Sequence, residues 1–498
     1  MELFFDAFVE VLRVQNLIAI VLGTLMGMVA GALPGLTATM TIAILIPLTF
    51  SMSPLVALGM MAGIYNGAMY GGAIPAILLK IPGTPPSIVT TFDGNPLAQQ
   101  GKAGYALKIA CWSSAIGSII SAIALITIAP QLVKVTLLFG PAEYFWVALF
   151  GLSSIAVLLG RDPVKGFVAA GIGLLLSMVG IDTVSGHERF TFDNRYLLDG
   201  LELLVVLTGL YAIPPAVRMA ESGLKRGMSG SDLRSTRGAA IWREIPRFIP
   251  TWIRAGVIGV LVGILPGTGG SMAAFIAYNE TRRASKDPDS FGKGNPQGVA
   301  AAECGNNADN AAAMIPALTL GIPGSGVAAV IMAGLLVHGL QPGPQLFREN
   351  GLIVYGFMIQ MLLTGALLFF FGGAFAARVF AQVLRVPPIL LSPLIISLAV
   401  VGIYTLNNSI FEVWLMLVFG AVGYLLDRVG IPLAPVILGL ILGSLAEQQF
   451  RLALLISGGD WTALFSSLVS WIVILLTAMV LFYPIVRALL ARRRAVEA

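Results

Sequence analysis

Nine stretches of this chain are apolar for long enough to cross a hydrocarbon core, which takes about 20 residues of helix. They are 17–33, 107–129, 142–160, 200–217, 255–278, 352–377, 388–405, 410–426 and 463–490, and two shorter runs, 166–181 and 431–446, are read as crossing too. Inside a bilayer every backbone N–H and C=O must find its partner within the protein, and a segment of this length does so as a helix. The chain is therefore expected to be an all-α polytopic membrane protein with about 10–12 transmembrane helices. Composition supports this over a string of soluble domains: of 498 residues 57% are hydrophobic and 11% charged, with a mean hydropathy of +0.89.

Two regions half a chain apart carry the same interrupted text. The first reads Gly31-Ala32-Leu33-Pro34-Gly35-Leu36-Thr37, then Asn66-Gly67, Ile74-Pro75-Ala76 and Ile81-Pro82-Gly83-Thr84. The second reads Gly263-Ile264-Leu265-Pro266-Gly267-Thr268-Gly269, then Asn307, Ile315-Pro316-Ala317 and Ile322-Pro323-Gly324-Ser325. Asn66 and Asn307, Pro75 and Pro316, Pro82 and Pro323, and Gly83 and Gly324 all stand 241 positions apart, whereas Pro34 and Pro266 stand 232 apart. The second copy thus holds nine additional residues, which fit the polar stretch Arg282 to Gly294. Two related halves follow, residues 1–217 and 255–498, joined by a basic linker over 218–254.

Charge position sets orientation, because basic residues flanking membrane helices stay in the cytoplasm. The linker carries Lys225, Arg226, Arg234, Arg237, Arg243 and Arg247, and the tail ends Arg492-Arg493-Arg494, so both are placed in the cytoplasm. The more acidic segment Asp182 to Asp199 is placed on the periplasmic side. Counting crossings from these anchors puts the loop Asp93 to Lys108 inside and the loop His338 to Asn350 outside, which makes the motif regions inverted repeats and requires a further span near 388–405 in the second half. Before its first apolar span the N-terminus has neither a basic n-region nor a small-residue cleavage site, so that helix is expected to be retained in a bacterial inner membrane. Two cysteines, Cys111 and Cys304, and two histidines, His187 and His338, argue against a disulfide framework and against a metal centre or metal cofactor.

A helix interrupted inside a bilayer leaves backbone groups unpaired, at a cost of several kcal/mol each unless they line a cavity or meet a ligand. Helix N-termini there favour anions, and exposed carbonyls favour cations. An isolated Pro or Gly in a membrane helix marks only a kink or a close contact. The duplicated set is different, since Pro82, Gly83 and Thr84 match Pro323, Gly324 and Ser325 and put bare backbone beside a hydroxyl, with Asn66 and Asn307 adding amides. These residues are expected to hold a carboxylate. Gly35, Thr37 and Thr39, and Gly267, Thr268, Gly269, Gly270 and Ser271, follow the two Leu-Pro-Gly turns and are expected in the same cavity, with Asp309 and Asn310 toward a coupling cation. Lys80, Glu303 and Asp309 are charges within apolar surroundings, which are expensive and usually functional. The glycines of 263–271 have no Lys after them, so a phosphate loop is excluded, and a nucleic-acid role for the linker is set aside.

The text resembles the large permease subunit of the tripartite tricarboxylate transporters, the TctA family, over nearly the whole chain. The resemblance rests on Gly31 to Gly35, Tyr65-Asn66-Gly67, Ile81 to Thr84, Asp93-Gly94, Gln100 to Gly104 and Arg189 to Phe192. In the second half it rests on Leu265-Pro266-Gly267, Phe275 to Tyr278, Gly298 to Ala301, Glu303, Asn306-Asn307-Ala308, Leu318 to Ser325 and His338 to Pro344. It implies uptake of a di- or tricarboxylate driven by Na+ or H+, a small four-helix TctB-like membrane subunit, and a periplasmic TctC-like solute-binding protein. The family pattern has an uncharged residue, commonly Asn, where Lys80 stands, and small residues around Asp309. The two charges are expected either to pair in the interior or to act separately, Lys80 on a carboxylate and Asp309 on a cation. The related TRAP-type carriers are disfavoured by the Asn-Asn-Ala and Leu-Gly-Ile-Pro-Gly-Ser text. A membrane enzyme would need a nucleophile with its base, for which the chain shows no constellation, and a passive channel would need no accessory receptor.

Overall fold

In the computed structural model, which describes residues 2–33, 35–158, 162–182, 186–221, 244–373 and 388–497, helices account for almost all of the ordered backbone. The first half contains α1 (Glu2–Val11), α2 (Val14–Ala32), α3 (Ala38–Thr49), α4 (Pro54–Gly71), α5 (Ala73–Leu79), α6 (Thr91–Leu97), α7 (Ala103–Thr136), α8 (Pro141–Leu158), α9 (Pro163–Ser177) and α10 (Leu203–Glu221). The second contains α11 (Ile245–Ile264), α12 (Gly269–Arg283), α13 (Pro296–Ala312), α14 (Met314–Leu320), α15 (Gly326–Val337), α16 (Pro344–Glu349) and α17 (Gly351–Phe371). It closes with α18 (Pro388–Asn407), α19 (Ile410–Arg428), α20 (Leu433–Ile456) and α21 (Leu468–Glu497). A two-residue antiparallel ladder pairs Gly180–Ile181 with Glu188–Arg189. Eight helical stretches among the described residues are long and apolar enough to cross a membrane, the chain being an all-α multi-pass protein. Pro34 and linker residues 222–243 lie outside the described residues, while α10 and α11 extend into the two ends of the linker.

The duplicated text folds into duplicated geometry. Gly83 N–H donates to Gly72 O and Gly324 N–H to Ala313 O, each at 3.2 Å. Ile81 N–H donates to Pro75 O at 3.3 Å and Ile322 N–H to Pro316 O at 3.2 Å. Donors and acceptors in both pairs keep the 241-residue offset. Lys80 (φ 59°) and Gly321 (φ 72°), also equivalent, end α5 and α14 in the left-handed region. The chain then returns in extended form to the Gly-Thr and Gly-Ser pairs.

Small residues let the motif helices touch along their backbones. A Cβ at Gly27 of α2 would stand 2.4 Å from Ile64 O of α4, and one at Gly67 of α4 would stand 2.2 Å from Thr24 O of α2. Each motif helix is then covered by the other half, α4 by α17 and α13 by α7. The span read over 255–278 divides: α11 ends at Ile264 and α12 starts at Gly269, because Pro266 and Gly267 (φ +83°) break the ladder between them. Helix α13, walled in by α7, α11 and α12, has every residue from Gly298 to Ala312 buried although it carries Glu303, three Asn and Asp309.

The loops that follow the two motifs lie at opposite ends of the molecule. Tyr105, at the start of α7, hydrogen-bonds Glu244 at the linker end. Gly321, Gln341 and Pro342 instead share a cavity wall with Asp199.

Candidate functional site

A cavity of about 380 Å³ opens where the two sets of breaks meet. The first turns of four helices line it: Thr37, Ala38 and Thr39 of α3, Gly269, Gly270 and Ser271 of α12, Ser325, Gly326 and Val327 of α15, and Pro432, Leu433 and Ala434 of α20. Each helix starts there for a local reason. The Thr37 hydroxyl accepts from Met40 N–H at 3.2 Å and the Ser325 hydroxyl accepts from Ala328 N–H at 3.2 Å, both as N-caps. Proline at 432 precedes α20, and the turn after Leu265 releases α12. First-turn N–H groups lack intrahelical acceptors and carry the positive end of the helix dipole, so four such ends around one cavity favour an anion.

Three charged residues line the cavity: Arg218, Asp427 and Asp309. Arg218 is ion-paired with Asp427, so its charge is balanced at the linker end of α10. Asp309 on α13 is 1% exposed, and its Oδ1 has no hydrogen-bond partner. Tyr211 presents a phenol oxygen that is also unpartnered, and the Tyr65 hydroxyl lies 3.2 Å from Ser325 Oγ. Anion-favouring helix ends and one unbalanced carboxylate therefore face the same space, a combination that accommodates an anion together with a cation.

Of the residues singled out from sequence, Thr37, Thr39, Thr84, Gly269, Gly270, Ser271, Asp309 and Ser325 line this cavity. Asn66, Asn307 and Asn310 sit in a buried polar seam between the halves. Asn66 Nδ2 donates to Thr364 Oγ1 of α17 at 2.8 Å, and Asn310 Nδ2 donates to Asn66 Oδ1 at 2.9 Å and to Asn307 Oδ1 at 3.4 Å. Ser121 of α7 accepts from the N–H groups of Ala311 and Ala312 at 2.7 and 3.0 Å, where α13 ends. Gly83 and Gly324 act by close approach, since a Cβ would stand 2.0 Å from Gly31 O in one case and 2.6 Å from Gly263 O in the other. Gly267 N–H ties the second turn to Gly324 O at 3.0 Å, and Thr268 Oγ1 donates back to Leu265 O at 2.9 Å. Pro82, Pro323 and Gly35 shape the breaks and stand outside the cavity wall. Lys80 is exposed at the end of α5, away from the wall, and forms no ion pair with Asp309; the interior pairing of these two charges is not made.

Tyr211, Arg218, Asp427 and the start of α20 escaped sequence reasoning, because they belong to no duplicated motif and reach the cavity only through the packing of α10, α19 and α20. Tyr65 had a signal, adjacency to Asn66. A second cavity of about 430 Å³ meets other stretches of α10, α15 and α20, lined by Leu203, Leu336 and Ser444 among others. Near its end of the molecule, Arg189 pairs with Glu447 at 2.7 Å and Arg451 with Asp182 at 2.8 Å.

Comparison with known proteins agrees with this architecture. A protein from Agrobacterium vitis described as an uncharacterized 52.8 kDa protein in the TAR-I ttuC' 3' region is 36% identical over 455 residues, covering 89% of this chain and 88% of the relative. A second from the same organism, an uncharacterized protein in the TAR-II ttuC' 3' region, is 38% identical over 204 residues, 41% of this chain and 84% of the relative. No solved structure matches the chain. The family model of the tripartite tricarboxylate transporter TctA family matches residues 17–438, and the chain belongs to that family.

Proposed function

We propose that this permease imports a di- or tricarboxylate across the bacterial inner membrane by symport with Na+ or H+, and that it is a carrier rather than an enzyme. It receives its substrate from a periplasmic solute-binding protein and works with a small four-helix membrane subunit, as the family's tripartite character supports. The observation that carries the reading is the convergence of four helix N-termini from both halves on a cavity whose one unbalanced charge is Asp309. The helix ends attract the substrate carboxylates, and Ser325, Thr84 and Tyr65 offer hydroxyls. A cation at Asp309 neutralises the charge that would otherwise oppose the anion, which makes binding of one the condition for binding of the other. Alternating access then exposes the cavity to either side as one bundle moves against the other.

The test is uptake of radiolabelled di- and tricarboxylates into proteoliposomes containing the chain and its small partner, with the binding protein outside and a Na+ or H+ gradient imposed. Saturable, gradient-dependent uptake that disappears without the binding protein is the expected result. Gradient-independent flux would make the chain a channel, and absence of flux for every carboxylate would remove the substrate class.

A further inference from the structure

Glu303 lies two turns before Asp309 on α13 and outside the cavity wall. It is 0% exposed, and its carboxyl oxygens meet two hydroxyls: Thr90 Oγ1 donates to Oε1 and Ser114 Oγ to Oε2, the latter at 2.8 Å. Among the described residues no Lys, Arg or His is ion-paired with it. The neighbouring elements supply no countercharge either. Helix α7 presents Ser114, α11 presents Trp252, whose indole donates to Ser113 Oγ, and α4 presents Tyr70. Asp93 of α6 and Tyr278 of α12 bond each other, and Cys304 is the titratable neighbour on α13 itself. An ionised carboxylate without a cation is expensive in such a place, while a neutral acid held by hydroxyls is not. A hydroxyl both donates and accepts, so Thr90 and Ser114 serve either protonation state, as two donors to the carboxylate or as one donor and one acceptor to the neutral acid.

One helical turn separates this carboxyl from a residue that borders the cavity. Asn306, one turn along the same helix, is 1% exposed and neither of its amide atoms has a hydrogen-bond partner. It borders the cavity wall at Gly270, where a Cβ would stand 2.5 Å from Asn306 Oδ1. On the other side, Thr90 stands between α6 and the short turn Pro85–Ile88, whose two prolines also line the cavity. The site is asymmetric: the first-half equivalents of Glu303 and Asp309 are Ala62 and Ala68.

We infer that Glu303 is a proton-carrying site, loaded and emptied from the cavity by water passing Asn306, that couples proton movement to the position of the turn at Pro85–Ile88. Loading forms one O–H bond on the carboxylate with a proton taken from hydronium in the cavity water. Emptying returns that proton to water on the side to which the cavity then opens. Ionised Glu303 takes both hydroxyls as donors and holds Thr90 and α7 together on α13; the neutral acid donates one of those bonds itself and loosens that grip. The inference rests on the transport reading for its role, and adds a proton to whatever cation Asp309 takes.

Two measurements on the full chain in bilayers test it. Infrared difference spectra between acid and alkaline buffer should show a protonated-carboxyl band that is absent from Glu303→Gln and displaced in pH by Ser114→Ala. In proteoliposomes, Glu303→Gln should exchange labelled for unlabelled carboxylate as the parent does while its proton-driven accumulation falls to the level seen without a gradient. Proton-driven accumulation by Glu303→Gln equal to the parent's overturns the inference. So does a pair of parent and Ser114→Ala spectra with the same titration, which applies even where the Gln variant does not fold. If the Glu303 band titrates but no carboxylate enters the parent's vesicles, the carrier reading fails and the proton site stands.

Discussion

Asp309 is the residue whose chemistry most constrains the cavity. Two unit charges roughly 6 Å apart at an effective dielectric of about 20 repel by about 3 kcal/mol, or roughly a hundredfold in affinity. In the proposed symport, a carboxylate entering beside a bare Asp309 meets that repulsion, and a cation bound there removes it. Asp309→Asn should therefore raise carboxylate affinity measured without cation by up to roughly a hundredfold while abolishing cation-dependent uptake; calorimetric titration of the purified chain with and without Na+ reads both effects. Unchanged cation dependence in the variant would move the coupling site elsewhere. Lys80 invites the opposite expectation. Its φ of 59° is a conformation that costs a β-carbon-bearing residue about 1 kcal/mol or more, and the equivalent position holds Gly321. Lys80→Gly should stabilise the chain by about 1 kcal/mol in thermal unfolding and leave uptake at the parent level. Loss of uptake would show that Lys80 reaches substrate in another conformation.

Between the halves, the connection is made by elements that the motifs only partly announce. Asp93 of α6 is fully buried; its Oδ1 accepts from the N–H groups of Gly292, Gly294 and Asn295 at 2.8, 2.8 and 2.7 Å, and its Oδ2 from Tyr278 OH at 2.8 Å. It thus ties the loop after the first motif to the polar insertion of the second and holds the start of α13. Asp93→Ala strands three loop donors, so it should cost about 3 kcal/mol, read as earlier thermal unfolding and faster proteolysis within 284–295; cleavage at the parent rate would mean that the insertion is held by other contacts. The insertion itself was legible, as nine extra residues between matched motifs, whereas its partner was not. Periodicity and offset report which segments are alike, so the Leu-Pro-Gly turns, the Pro-Gly breaks and most apolar spans could be read directly. They do not report which segment packs on which. Helix α13 was not legible as an apolar span because its polar residues face other helices, and the partners of Asn66, Thr364 and Asn310, are positions that no offset connects to it.

At the scale of the molecule, the two cavities share α10, α15 and α20 and meet different stretches of each, on α20 its first turn and its middle. Between them these helices bring together Val206 and Leu207, Val330 and Ile331, and Val436 and Ile437, all buried in one apolar core. Such a plug blocks an anion far better than any single residue, since a charge in an apolar layer is costly whichever side it enters from. If the proposed carrier passes its substrate from one cavity to the other, the plug between them must shift each time. The native cysteines suit a direct test, because Cys111 and Cys304 are both buried and contribute little background. In vesicles of known orientation, Ser271→Cys should react with a membrane-impermeant maleimide added on the linker side, and Ser444→Cys with the reagent added on the other. Carboxylate and coupling cation together should slow one reaction and speed the other severalfold, because a single rearrangement closes one cavity as it opens its counterpart. Rates that change independently, or two cysteines fully reactive at once under every condition, would replace alternating access with a continuous pore.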